Sequence, residues 1–318
     1  MEFRKLELKY IDDAVELAMK EYKNECIYNK QLLVKNYRAK LRELIVDIFS
    51  SKYGLLAIQD EELVGYLVFW GGFQGQFGNV KGSFSPLFGS AFGGRNRKKT
   101  ASLLFEHVSK LMIKDGIFSL AICKYAHDKE IIESFIFNGF GIRCSDAIKK
   151  LTNLDEAKIN SGCRYEEISY EKSSELLNLI NGLSKHMNGS PIYMPASYLT
   201  ADEFAVKCEE RKNRFFAAYN DNRPVGYIEV CEKAETFISE DEEVLNICGT
   251  YVEEQYRNSS VAQELLLFTM KKLSDEGLKY LGVDCETLNP TAIRFWTKYF
   301  ECYTYSFARR IDERIMEI

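Results

Sequence analysis

The chain has 318 residues, 46% hydrophobic and 28% charged, with a net charge of -5. That length predicts two domains with a core each, and the balance is that of a soluble globular protein. The charge argues against a polyanionic partner such as nucleic acid and suits a cationic one, no apolar run reaches membrane-spanning length, and the charged start MEFRKLELKYIDDAVELA has no secretory character.

In chain order, each half reads helix, helix, strand-strand hairpin, long strand, helix, strand, helix, strand. Residues 53–69, YGLLAIQDEELVGYLVF, form the first hairpin, two strands about a polar turn. The long strand and loop GSFSPLFGSAFGGRNRKKTAS follow, and eight of the 20 glycines lie between residues 71 and 94, which predicts a mobile or sharply turning segment. Gly89 to Gly94 has phosphate-loop spacing, but Arg95-Asn96 stands where Lys-Ser/Thr is required. Arg95, Arg97, Lys98 and Lys99 form a basic cluster that reads as a solvated turn, a hold on cofactor phosphates or an RNA contact. A strand, FSLAIC, and a helix ending in aromatics, IIESFIFNGF, close this half.

The second half repeats the first. RFFAAYNDNRPVGYIEV, residues 214–230, aligns with the first hairpin at an offset of 161, matching Ala57 with Ala218, Asp60 with Asp221 and Val64-Gly65-Tyr66 with Val225-Gly226-Tyr227. Arg95 precedes Leu103-Leu104 as Arg257 precedes Leu265-Leu266, Asp115-Gly116 matches Glu276-Gly277, and KYLGVDC and TAIRFWTKYF complete the copy. The repeat predicts domains over 1–155 and 162–318 with a seam near 151–163, each an α/β unit with a mixed, mostly antiparallel sheet flanked by helices. The helix after the long strand is a parallel crossover, so its loop sits at a strand's carboxyl end, where such sheets bind ligands.

That loop in the second half is EQYRNSSVAQELLLF. Val261, Leu265, Phe268 and Leu273 predict a helix over about 259–276, N-capped by Asn258 or Ser259. Its first amides lack intrahelical partners and the helix dipole adds positive charge there, which makes an anion site, although an ordinary capped surface helix reads the same way.

With these motifs in order, the chain resembles the GNAT (Gcn5-related N-acetyltransferase) superfamily in its tandem, two-domain form. The family's motif A, Arg/Gln-x-x-Gly-x-Gly/Ala, falls on Arg257-Asn258-Ser259-Ser260-Val261-Ala262. Motif B falls on Asn289-Pro290-Thr291-Ala292-Ile293-Arg294-Phe295-Trp296, and CGTYVEEQYR carries the approach to the arginine. The resemblance implies acetyl-CoA as acyl donor, its pyrophosphate on the amides of the 257–262 turn. Tyr251, Val252, Asn289 and Trp296 complete the expected cofactor site, Val252 or a neighbour offering a backbone N–H to the carbonyl or the pantetheine arm. Two departures stand out: Ser260 replaces the family's central glycine, and Trp296 and Phe135 replace its tyrosine acid.

Acyl transfer to an amine needs a base, a stabilised oxyanion and a proton for the leaving thiolate. Tyr299, one helical turn beyond Trp296, is the substitute acid or else a packing residue. Glu229, on the strand VGYIEV with Tyr227 on the same face, and Glu286, in VDCETLN, are base candidates or plain strand carboxylates. The segment HMNGSPIYMPASYLT, residues 186–200, reads as an adaptable wall for the acceptor or as a structural loop.

The nine cysteines are scattered without a Cys-x-x-Cys pair, and His107, His127 and His186 show no ligand spacing, so buried thiols of a reducing cytoplasm and no metal are expected. Cys248 in particular reads as core. The resulting expectation is a cytoplasmic N-acetyltransferase for a small-molecule or peptide amine, acting from the second half beside a degenerate first half. A non-catalytic acyl-CoA sensor or scaffold is the alternative, and the oligomeric state is open, a homodimer included.

Overall fold

The structure is a computed structural model that describes residues 1–75, 78–152, 154, 161–211 and 213–317. It divides into two compact units, residues 1–145 with 302–318, and residues 146–301. The seam expected near 151–163 lies largely outside the described residues.

The first unit opens with β1 (Glu2–Arg4), α1 (Ile11–Tyr28) and α2 (Arg38–Ile48). Ala14, Val15, Ala18, Met19 and Tyr22 line the buried face of α1, at the spacing an amphipathic helix requires. The hairpin β2 (Tyr53–Gln59) and β3 (Glu62–Phe69) follows, closed by Asp60 and Glu61 at φ 52° and 64°, the left-handed pair that matches strand twist in a two-residue turn. The expected long strand is broken into β5 (Lys81–Ser85) and β6 (Ser90–Phe92), after a short β4 (Phe73–Gln74). Next come α3 (Arg97–Lys114), β7 (Ile117–Tyr125), α4 (Lys129–Phe137) and β8 (Gly141–Lys150), whose residues from Asp146 on belong to the second unit. β1, β2, β3 and β6 pair in that order, while β5 runs parallel to β7. The core between sheet and helices is aromatic: Phe105 meets Phe135 and Phe140 edge-on at 6.2 and 5.1 Å, so Phe135 serves packing.

The second unit repeats the plan with β9 (Arg164–Ile168), α5 (Leu177–Gly189), α6 (Ala201–Arg211), the hairpin β10 (Arg214–Asn220) and β11 (Arg223–Cys231), β12 (Val244–Val252), α7 (Val261–Asp275), β13 (Tyr280–Glu286) and α8 (Pro290–Trp296). Its strand order is β13-β12-β11-β10-β9, antiparallel except for the β12–β13 pair. Both crossover helices end as the sequence predicts, with Gly116 at φ 70° after α3 and Gly277 at φ 94° after α7 in the left-handed position a helix C-terminus favours.

The compact units differ from the halves 1–155 and 162–318. The last strand, β14 (Glu301–Arg310), pairs antiparallel with β7 from Thr304↔Tyr125 to Arg310↔Ser119, and its buried Phe307 joins the first unit's core. Conversely, the 146–150 end of β8 counts with the second unit, where β8 neighbours β13. The second half therefore gives its final strand to the first unit, and the first half gives the end of β8 to the second. Among the described residues, no helix is long and apolar enough to cross a membrane.

Candidate functional site

The site begins where two strands separate. β12 and β13 pair in parallel from Val244↔Tyr280 to Ile247↔Val283 and no further, while β12 stays paired with β11 as far as Gly226↔Val252. The register of that second pair shifts between Val230↔Ile247 and Glu229↔Gly249, which leaves Cys248 as a bulge. A bulge bends its strand, and here it coincides with the point where β12 leaves β13. A gap opens between Gly249–Val252 and Asp284–Glu286.

At the end of β12 the chain makes a short 3-10 turn over Glu254–Tyr256 and then reaches Arg257. Arg257 Nε donates to Val252 O at 3.1 Å, and its guanidinium lies 5.1 Å from the centre of the Tyr251 ring. Asn258 takes the left-handed conformation at φ 61°, which asparagine tolerates better than most residues. Ser259 Oγ donates to Tyr256 O at 2.6 Å, and Val261 N donates weakly back to Ser259 Oγ at 3.4 Å. The N-cap is Ser260, one or two residues later than the sequence predicts, at φ -78° and ψ -7°. Glycine is not needed for those angles, so this departure from the family pattern costs no strain. The first helical bond runs from Glu264 N to Ser260 O, and among the described residues the preceding amides of Ala262 and Gln263 have no backbone acceptor. Val261 itself is buried and contributes packing.

Three carboxylates, Glu229, Asp284 and Glu286, stand on the strands around this point. Glu229 is buried, and Asn213 Nδ2 donates to its Oε1 at 2.5 Å. A Cβ on Gly249 would stand 2.8 Å from Glu229 Oε2 and 3.3 Å from the Tyr227 hydroxyl, so glycine makes the room Glu229 occupies and the two side chains share a face as strand alternation predicts. Glu286 is half-buried on β13, and Asp284 shares its side of the strand, with buried Cys285 opposite. Asp284 is open to solvent from the gap yet enclosed by protein on a wider scale. That burial, with Glu235 and Glu286 adding, pushes its carboxyl up to about 6.

Tyr299 packs its ring on Phe295 at 5.2 Å, and partial burial raises its phenol, which keeps it protonated at neutral pH. Trp296 is buried edge-on between Phe295 and Phe300, so in this structure it serves the core. Asn289 caps α8: its Oδ1 accepts from Thr291 N at 3.3 Å and Ala292 N at 3.4 Å, and its Nδ2 faces Met187 Sδ at 3.5 Å.

Three residues here carried no functional signal in the sequence. His186, on α5, places Nε2 3.3 Å from Thr291 Oγ1, with its ring 6.5 Å from that of Tyr251, and burial plus the Arg257 charge holds it below the usual histidine range, hence neutral at pH 7. It opens the 186–200 segment singled out as a wall. That segment divides into the end of α5 and an irregular run in which Asn181 clamps Leu199, accepting from its N at 2.9 Å and donating to its O at 3.0 Å. Asp284 sits two residues before Glu286 at a strand end, a spacing that could have flagged it. Asn213 lies between α6 and β10 with no pattern to reveal it.

Other expectations are corrected. Cys248 is exposed, because the bulge opens a side chain that a regular strand would cover, and Cys231 and Cys302 at strand ends, Cys144 on β8 and Cys26 on α1 are only half-buried. In the first unit the counterpart of Arg257 is Arg97 and not Arg95. Arg97 Nε donates to Phe92 O at 2.7 Å, repeating the i to i-5 bond of Arg257, because α3 starts at once where the second unit interposes a turn. Arg95, Asn96, Lys98, Lys99, Ser102 and Glu130 line a shallow groove of about 480 Å³ beside this helix start.

Residues 185–301 match the model of the Acetyltransferase (GNAT) family. A GCN5-related N-acetyltransferase from Sphaerobacter thermophilus superposes with a TM-score of 0.60 over 97% of this chain and 95% of that one, at 10% identity. The GCN5-related glucosamine N-acetyltransferase region of a fungal multi-domain GH3 beta-N-acetylglucosaminidase gives 0.55 over 96% of this chain and 38% of that one, at 11% identity. A tandem GNAT protein from the clavulanic acid biosynthesis pathway gives 0.50 over 97% and 98%, at 14% identity. No curated protein matches the sequence. The stretch that matches the GNAT family model thus lies within the second unit. The chain as a whole has the fold of tandem GNAT proteins.

Proposed function

We propose that the second unit transfers an acetyl group from acetyl-CoA to a primary amine of a small molecule or peptide, the amine attacking the thioester directly. What carries this reading is the turn from Arg257 to Ser260, which presents a cation and unpaired helix amides at the mouth of the gap between β12 and β13. The pyrophosphate would lie on those amides, with the pantetheine arm in the gap, where β12 past Ile247 has lost its ladder with β13. Asn258, Ser259 and Ala262 would line the phosphates, with Tyr251 and Val252 along the arm and Asn289 holding α8 beside it.

In the transfer, the amine nitrogen bonds to the carbonyl carbon, the carbon–sulfur bond breaks, and the thiolate takes a proton. Asp284, Glu229 and Glu286 converge on the gap as proton acceptors, and the raised Asp284 is the one poised nearest neutral pH. Tyr299, protonated, is the donor to the thiolate. Carboxylates on both sides of the gap favour a cationic acceptor. The first unit would support the second without binding cofactor.

Calorimetry with CoA tests the binding step, with one site per chain expected. Release of free thiol with a panel of polyamines, aminoglycosides and amino-acid amides tests the transfer. Binding without turnover on any amine would return the chain to the sensor reading, and no binding would end both.

A further inference from the structure

The bulge that opens the gap also brings two thiols together. Cys231 pairs with Asn246 across β11 and β12, and Cys248 is the unmatched residue between Ile247 and Gly249, two positions along. Cys248 is exposed and Cys231 half-buried. Cys248 Sγ donates to Glu229 O and accepts from Asn213 Nδ2, both at 3.7 Å, while Cys231 Sγ lies 3.4 Å from Lys233 O. Its neighbour Cys248 holds the Cys231 thiol below its ordinary value against the opposing effect of burial, while the nearness of Cys231, with burial adding, raises that of Cys248. Cys26 and Cys208, by contrast, are raised by burial.

We propose that Cys231 and Cys248 form a reversible dithiol–disulfide pair, oxidised by a peroxide. The Cys231 thiolate attacks one peroxide oxygen, the O–O bond breaks, and the departing hydroxide takes a proton to leave as water, giving a sulfenic acid on Cys231. The Cys248 sulfur then attacks the sulfenic sulfur, the S–O bond breaks, and hydroxide leaves with the Cys248 proton as a second water. Two thiols and one hydrogen peroxide give one disulfide and two waters, and a thiol reductant reverses the step. The bond takes Cys248 Sγ away from Asn213, whose amide also positions Glu229, so the redox state is felt at the carboxylate. This chemistry does not depend on the acetyl-transfer reading.

The test uses the full chain and hydrogen peroxide, followed by iodoacetamide, digestion and mass spectrometry. The expected result is a peptide pair joined through Cys231 and Cys248, lighter by two hydrogens and restored to two alkylated thiols by dithiothreitol. C248S should stop at a Cys231 sulfenic acid that dimedone traps, and C231S should leave Cys248 alkylatable. Equal alkylation of both thiols before and after peroxide in the wild-type chain overturns the proposal, as does linkage of either cysteine only to another partner.

Discussion

The two crossover helices begin from the same arginine and use it in opposite ways. Arg97 and Arg257 each bind the carbonyl five residues back, at the end of the long strand. Past Arg257 come a left-handed asparagine and two serines, and the helix amides stay unspent. Past Arg97 the helix starts immediately, its guanidinium is bound to Asp128 and Glu21, and Glu130 Oε1 accepts from Lys98 N at 3.3 Å. A carboxylate of the chain itself thus stands where an anion would bind.

The gap is closed in the same unit. β5 and β7 pair as far as Ser85↔Ile122, and beyond it the fully buried Lys124 sends Nζ to Glu21 Oε2 at 2.9 Å and to Ser90 O at 3.0 Å. One unit has spent its charges on itself. An anion site needs free helix amides and a cation that the chain's own carboxylates have not claimed, which a motif alone does not guarantee.

The largest effect should come from breaking that internal plug. Lys124→Ala takes from buried Glu21 one of its two cations, Arg97 being the other, and should cost about 3 kcal/mol in denaturant unfolding, whereas Lys124→Met with Glu21→Leu should recover much of the loss. A single-mutant cost under about 1 kcal/mol would mean the pair does not seal the gap.

Next comes Arg257→Ala, which removes a charged hydrogen-bond donor and should weaken CoA binding by roughly 1.5–3 kcal/mol, about ten- to a hundred-fold, by calorimetry. Arg97→Ala should leave CoA affinity unchanged. Equal effects of the two would erase the distinction between the units.

A smaller change is expected with pH. With Asp284 raised to about 6, the rate of thiol release should climb as pH rises through that value and the carboxyl ionises, and Asp284→Asn should remove this limb. Stability has the opposite sign: between the ordinary carboxylate range and about 6 the folded chain holds a proton that the unfolded chain has released, so stability falls as pH rises there. Asp284→Asn should flatten that fall in a series of melting curves.

Smallest of all, Glu130→Ala should cost about 0.3–1 kcal/mol through the lost helix-terminus interaction, and titration should still find one CoA per chain. A second site appearing would show that Glu130 alone excludes the ligand.

Much of the fold was legible in the sequence because the repeat carried it. The Val-Gly-Tyr triplets, the Asp-Gly and Glu-Gly helix ends and the hairpin turns are local signals, set by a few neighbouring residues. The residues that complete the site are otherwise. His186 reaches Thr291 across 105 positions, and Asn213 reaches Cys248 across 35, so only packing reveals them. Cys248 was misread because a bulge exposes a position that strand alternation would bury. The shift from Arg95 to Arg97 has the same origin, since leucine spacing aligns two helices that start at different distances from their strands.

The exchanged strand has a consequence for biosynthesis. The first unit's sheet is incomplete until residues 302–318, made after the whole of the second unit, are in place. A chain with this wiring cannot finish its first unit before its second has been synthesised, and a stop codon before Glu301 would damage the unit that most of the earlier gene encodes.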